Sequence, residues 1–183
     1  MFTKINVLRI VSDHWLTLHA ADSERISLWD LLLFCGVPGI VVWLFWGKTA
    51  LDSSGTFHTV ALTSLSLFAG LLFNLLVLLY GLIEKTPRKT GIEDPTVAEK
   101  HAKVRNDLLR EVYYNVSYAV LISVVAILSL VLIMIVPCAC ANVVQCLSSF
   151  LFFILAHFVL TLLMILKRIH ALLACAFNSE DKK

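Results

Sequence analysis

The sequence predicts an all-α polytopic membrane protein. It would have four transmembrane helices, a cytoplasmic juxtamembrane N-terminal helix, and a long third helix extending into the cytoplasm. Three observations carry that prediction. The 183 residues are 59% hydrophobic and only 15% charged, with a mean hydropathy of +0.86, the composition of a chain solvated by lipid. Four apolar segments, at residues 29–47, 57–83, 112–136 and 143–166, approach or exceed the about 20 apolar residues that a bilayer crossing needs. Lastly, Lys48 is the only one of the fifteen Lys and Arg in the two short loops after the first and third segments. The positive-inside rule therefore places both termini and residues 84–111 in the cytoplasm.

The chain divides accordingly. Residues 1–28 are a cytoplasmic juxtamembrane segment and 29–83 a first transmembrane helix pair. Residues 84–111 form a basic cytoplasmic connection with a helix extension, 112–168 a second transmembrane pair, and 169–183 a cytoplasmic tail. The spans use more than half the chain, which leaves no room for a soluble catalytic domain. The apolar run starts too late for a cleavable signal peptide.

In the N-terminal segment Phe2, Ile5, Leu8, Ser12 and Trp15 recur at three- to four-residue spacing, with Ile10, Val11, Leu16 and Leu18 nearby and Lys4, Arg9, Asp13 and His14 interspersed. That pattern predicts a short helix at the cytoplasmic face, an anchor on the membrane surface or a clasp beneath the bundle. Ser27-Leu28-Trp29-Asp30 reads as a capping box that starts the first span. Gly36, Pro38 and Gly39 interrupt this span. Pro38 removes a backbone donor, and in a membrane the carbonyl so freed must be satisfied by a neighbour or by water. Trp43 and Trp46 form an outer aromatic belt.

The second span, TVALTSLSLFAGLLFNLLVLLYG at residues 59–81, organises the rest. On a helix Thr59, Thr63, Ser66, Gly70, Asn74 and Gly81 fall within about 80° of one another. Lipid tails are as apolar as Leu, so membrane helices meet through small and polar residues. The stripe must face protein or water, as a packing seam or as a pore-lining or ligand-facing surface.

After the loop chemistry of residues 86–91, Asp94 is a plausible N-cap and Pro95 a first helical residue. A helix from Pro95 to Val136 would be roughly 60 Å long, twice the hydrocarbon thickness, and would protrude into the cytoplasm. Arg88, Lys89, Lys100, Lys103, Arg105 and Arg110 are the candidate ligand-binding residues of this region. Repeated in a symmetric oligomer they would form a basic ring for anionic lipid headgroups or for a nucleotide or oligonucleotide. Six acidic residues dilute them, and a topology signal with lipid contact is the simpler reading. The third span carries a second small and polar seam, Asn115, Ala119, Ala126 and Ser129, with Ser123 at its edge and Tyr113, Tyr114 and Tyr118 near the inner interface. In the fourth span His157 lies near the middle, with Thr161 and Arg168 on its side. At that depth an ionisable group faces the protein interior or water, as a packing residue or on an ion path.

No enzyme is expected. No His, Cys and carboxylate cluster has metal-ligand spacing, and no Walker loop, Rossmann glycine pattern or nucleophile elbow is present. No cofactor or metal is expected either. Cys138, Cys140 and Cys146 cluster near the outer face, where an oxidising environment would permit a disulfide. Four spans with outer cysteines are similar to the quinone-linked disulfide-generating membrane enzymes. The first outer loop, however, lacks their Cys-x-x-Cys pair, so a membrane thiol-redox enzyme is a remote alternative.

Four stretches together resemble a type of small bacterial membrane protein: His14-Trp15-Leu16-Thr17-Leu18, DLLLF at 30–34, FAGLLFNLLVLLY at 68–80, and YxNVSYA at 113–119. They resemble the compact four-span membrane effectors of antiphage defence operons, the Hailong-type channel effector or the membrane subunit of the Kiwa system. The resemblance covers residues 13–126. It implies a homotetrameric bundle in the bacterial inner membrane. For the Hailong type it also implies an ion-conducting pore regulated by a bound oligonucleotide. The expectation is thus a homo-oligomeric, ligand-regulated channel. The alternative is a membrane scaffold or sensor that recruits a soluble cytoplasmic partner through residues 84–111.

Overall fold

The computed structural model describes residues 7–16, 28–46, 56–84, 95–135 and 141–180. Among them are five helices and no strand: α1 (Val7–Leu16), α2 (Leu28–Phe45), α3 (Thr56–Glu84), α4 (Pro95–Ile135) and α5 (Ala141–Glu180). Three of these, α3, α4 and α5, carry stretches long and apolar enough to cross a membrane. The apolar stretch of α2 is shorter, Leu32–Phe45. Arg88, Lys89, Cys138 and Cys140 lie outside the described residues, as do the segments 17–27 and 47–55.

Helix α4 is the centre of the bundle, packed against α3, α5 and α1, while α2 packs on α5. Its inward residues are Leu109, Val112, Val116, Ala119, Ser123, Ala126, Leu130 and Ile133, all buried. They alternate in steps of three and four, the 3.5-residue period of a left-handed coiled seam. Helix α5 answers with Leu151, Ile154, Phe158, Thr161 and Ile165 at the same spacing. Helix α3 presents His58, Leu65, Leu72 and Leu79, one residue per heptad. In lipid such seams gain little from hydrophobic transfer and depend on close contact, which Ala119, Ser123 and Ala126 permit. Where α2 ends and α3 begins, Phe152 of α5 stacks on Phe45 at 5.1 Å and meets Phe57 at 5.9 Å.

Helix α4 starts at Pro95 and runs 41 residues without a break, about 60 Å, as the sequence predicts. Helix α5 is likewise continuous for 40 residues, through Lys167 and Arg168. Helix α1 turns only part of its apolar pattern inward. Leu8 is 80% exposed and Ser12 is exposed, whereas Ile10 and Val11 pack on the core and His14 is fully buried. The inward face is therefore Ile10, Val11 and His14, because His14 finds a polar partner on α4 that Ser12 does not reach.

The seam geometry generates a stability prediction. Ala126→Leu forces a large side chain into a fully closed contact and should destabilise the bundle by about 1–3 kcal/mol. Leu128→Ala, on the exposed face of the same helix, should change little. Thermal unfolding in detergent, followed by tryptophan fluorescence, measures both.

Candidate functional site: a buried histidine network

The site begins with a proline. Helix α2 continues through Pro38, which has no N–H to give to the carbonyl four residues earlier. That carbonyl belongs to Phe34, and His157 Nδ1 of α5 lies 3.2 Å from its oxygen. A carbonyl only accepts, so Nδ1 carries the proton and donates. In the neutral ring Nε2 is then an acceptor, and it receives the Tyr118 O–H at 3.0 Å. The two partners fix the tautomer of His157 between them. Thr161 Oγ1 caps the His157 carbonyl at 2.9 Å, one turn along α5.

The second imidazole arrives from α1. His14 stacks on the Tyr118 ring, with centroids 3.8 Å apart and planes 13° from parallel. Its Nδ1 donates to Asn115 Oδ1 at 2.8 Å. Phe34 and Phe153 flank His157 at 5.4 and 6.3 Å, and the imidazoles of His14 and His157 stand 6.4 Å apart. His14, Asn115, Tyr118, His157 and Thr161 are all buried. Four helices therefore converge on one polar cluster lined by aromatic rings. Toward the next turns of α4 and α5, Arg168 Nη1 lies 3.0 Å from Glu111 Oε2.

Helix α1 is only ten residues long, too short to span. Burial holds its His14 imidazole down at about 4, below the ordinary 6.5; the Asn115 bond opposes this, and His157 and Arg168 add to it. The site is thus built for a neutral His14 ring. It holds a joint between α1 and the bundle in place, and among the described residues no group of three His, Cys, Asp or Glu side chains stands together.

The other expected residues are placed as follows. Thr59, Thr63, Ser66, Gly70 and Asn74 are exposed along one face of α3. That face lies about 150° around the helix from Leu65, Leu72 and Leu79. Buried His157 does not share a surface with them. Of the basic residues, Lys103, Arg105 and Arg110 are exposed on α4, and Lys100 lies in α4. The equivalent seam of α4 (Asn115, Ala119, Ser123, Ala126, Ser129) is wholly buried. Its serines are satisfied locally, Ser123 on the Val120 carbonyl and Ser129 on that of Val125. His14, Phe34 and Tyr118 were not among the site residues expected from sequence. The available signal was Pro38, which names Phe34 as the carbonyl in need of a donor.

Two outcomes are expected. His157→Leu strands the Phe34 carbonyl and should lower stability by about 1–3 kcal/mol. Pro38→Ala restores the intrahelical donor, so in the double variant much of that loss should return. A double-mutant cycle on unfolding midpoints measures this coupling. The second outcome concerns pH. Between about 4 and 6.5 the unfolded chain binds a proton at His14 that the folded chain refuses. Stability should therefore be intact above 6.5 and fall as pH drops through that window, by up to about 3 kcal/mol. His14→Phe should flatten that part of the profile.

Compared with known proteins, the chain matches no family model, no curated protein and no solved structure.

Proposed function

We propose that this chain is a four-pass protein of the bacterial inner membrane, with both termini cytoplasmic, that assembles as a homo-oligomer around α3 to form a ligand-regulated ion channel. A tetramer and a role in antiphage defence follow from the resemblance to the four-span effectors. One observation carries the reading: the polar stripe of α3 is turned outward in the protomer. Only 17% of the most apolar window of α3 is buried, against 44% for α4 and 39% for α5. A Cβ added at Gly70 would meet nothing within 4 Å, so no contact inside the protomer accounts for a glycine there. Asn74 is exposed within a span, where hydrocarbon provides no hydrogen bond. Other copies, or the water of a pore, would satisfy both residues.

In this reading α2 makes the fourth crossing, its shorter helix held to α5 by the His157–Phe34 bond. The cytoplasmic part of α4, where Lys103 and Arg105 are exposed, receives a nucleotide or oligonucleotide. The same exposed surface favours a second reading, a membrane scaffold that recruits a soluble partner. That reading predicts no conductance, and loss of partner capture in Lys100→Glu, Lys103→Glu, Arg105→Glu.

The test is reconstitution. Purified protein in liposomes should pass ions or dye, and a bilayer that stays inert after candidate ligands are stripped away counts against a channel. Asn74→Leu separates the two roles of the stripe. Altered conduction with assembly intact places Asn74 on the water path. Weaker oligomers, by about 1 kcal/mol for each interhelical hydrogen bond lost, with conduction per oligomer unchanged, make the stripe a packing seam.

A further inference from the structure

Polar side chains form a run that starts at the charged end of the bundle and stops within it. Its mouth is the Glu111–Arg168 pair, 3.0 Å across. Asn115 and Tyr118 follow on α4, about 6 and 10 Å further along the helix axis. Thr161 and His157 face them from α5, and all four are buried. Phe34 and Phe153 close the far end, their rings 5.4 and 6.3 Å from that of His157. Helix α1 lies across this run. Its His14 enters from the side, stacked on Tyr118 at 3.8 Å, bonded to Asn115 at 2.8 Å, and 6.4 Å from the His157 ring. Val11 and Ile10 pack on the core beside it. The contact is closed only there. Along its Arg9–Asp13 edge a gap of about 360 Å³ parts Arg9, Ile10 and Asp13 from Tyr113, Tyr114 and Ser117 of α4.

The seat of α1 differs in kind from that of a spanning helix. Helix α3 is held by Leu65, Leu72 and Leu79, side chains that are costly to expose to water. Beneath His14 lie a carboxamide and a phenol, and water bonds both groups when the imidazole withdraws. Among the described residues the α1 backbone approaches α4 and no other helix. It can therefore lift without parting the α3–α4 or the α4–α5 seam.

We infer that α1 is a lid on this polar run. Seated, it shuts the run from water at the charged end of the bundle. Lifted, it admits water past Asn115 and Tyr118 as far as His157. The inference rests on the membrane reading above, which makes that end cytoplasmic, and not on conduction.

The experiment is hydroxyl-radical footprinting of the full chain in phosphatidylcholine–phosphatidylglycerol liposomes, with oxidation of each side chain read by peptide mass spectrometry. In the native chain Tyr118 and His157 should be protected. Val11→Glu puts a carboxylate into the seat and leaves every residue of the run unchanged. It should raise oxidation of Tyr118 and His157 at least fivefold, together with that of Trp15 on α1, while buried His58 and Phe158 stay protected. Tyr118 and His157 still protected once Trp15 reacts overturn the proposal, because α1 has then left and nothing has opened. An unchanged Trp15 overturns it too, since α1 then does not lift. So does equal oxidation of Tyr118 and His157 in the native chain and the variant, which shows that no seal exists. If His58 and Phe158 react as well, the bundle has come apart, and Val11→Ser is read in its place. There a twofold rise confined to Trp15, Tyr118 and His157 supports the lid, and any other pattern refutes it. Phe150, exposed on the apolar stretch of α5, tests the premise. A protected Phe150 keeps the membrane reading whatever becomes of the lid, and a Phe150 as reactive as Phe in water removes both.

Discussion

Pro38 leaves the Phe34 carbonyl without a donor from its own helix, and the N–H of His157 reaches across from α5 to supply one at 3.2 Å. The rest of the polar interior follows from that bond. Once Nδ1 is committed to Phe34, Nε2 must accept, and the Tyr118 hydroxyl is turned to face it. That turn sets the plane of the tyrosine ring on which His14 lies, and Asn115, one turn earlier on α4, holds the free edge of His14. Inside an apolar bundle the alternative to each of these partners is no partner, which costs more than the bond itself gains. The position of α1 is therefore inherited from a proline on a different helix.

Two seams of similar composition meet opposite fates, and their chemistry explains the difference. The α4 seam carries serines that bond carbonyls of their own helix, so burying it leaves their hydroxyls satisfied. Its one amide, Asn115, is taken up by His14. On α3 the same economy works for Thr63, bonded to the Thr59 carbonyl, but a carboxamide with two donors and an acceptor is not satisfied by its own helix. Leu65, Leu72 and Leu79 settle which side faces α4, and the side that holds Asn74 is left for a neighbour.

The helical class, three of the four expected spanning stretches and the unbroken α4 were legible because their signals are local: apolar length, and proline at a helix start. The need for a donor at Phe34 was legible too, from Pro38 alone. The identity of the donor was not, since His157 is 123 residues away in sequence and nothing local pairs them. The buried face of α1 is not readable from the sequence for a related reason. Leu8, Ser12 and Trp15 have helical spacing, and so do Ile10, Val11 and His14. In a ten-residue helix periodicity cannot choose between them; the amide of Asn115, 101 positions later, decides. The stripe of α3 was readable as a surface. That the protomer leaves it uncovered depends on the heptad of leucines behind it, which is a tertiary fact.

The shortness of α1 makes it dependent on the bundle. An isolated helix of fewer than about 12–15 residues is marginal in water, so α1 owes its helical state to the seat provided by Ile10, Val11 and His14. Among the described residues α1 packs on α4, and no approach between the α1 and α3 backbones occurs. A change at α1 thus reaches the α3 stripe only by way of α4. The α4 face is a closed heptad seam, and such packing responds by shifting as a body and does not deform gradually. In the proposed channel a signal at α1 would therefore reach the outward face of α3 as a shift of α4, and not as a local rearrangement.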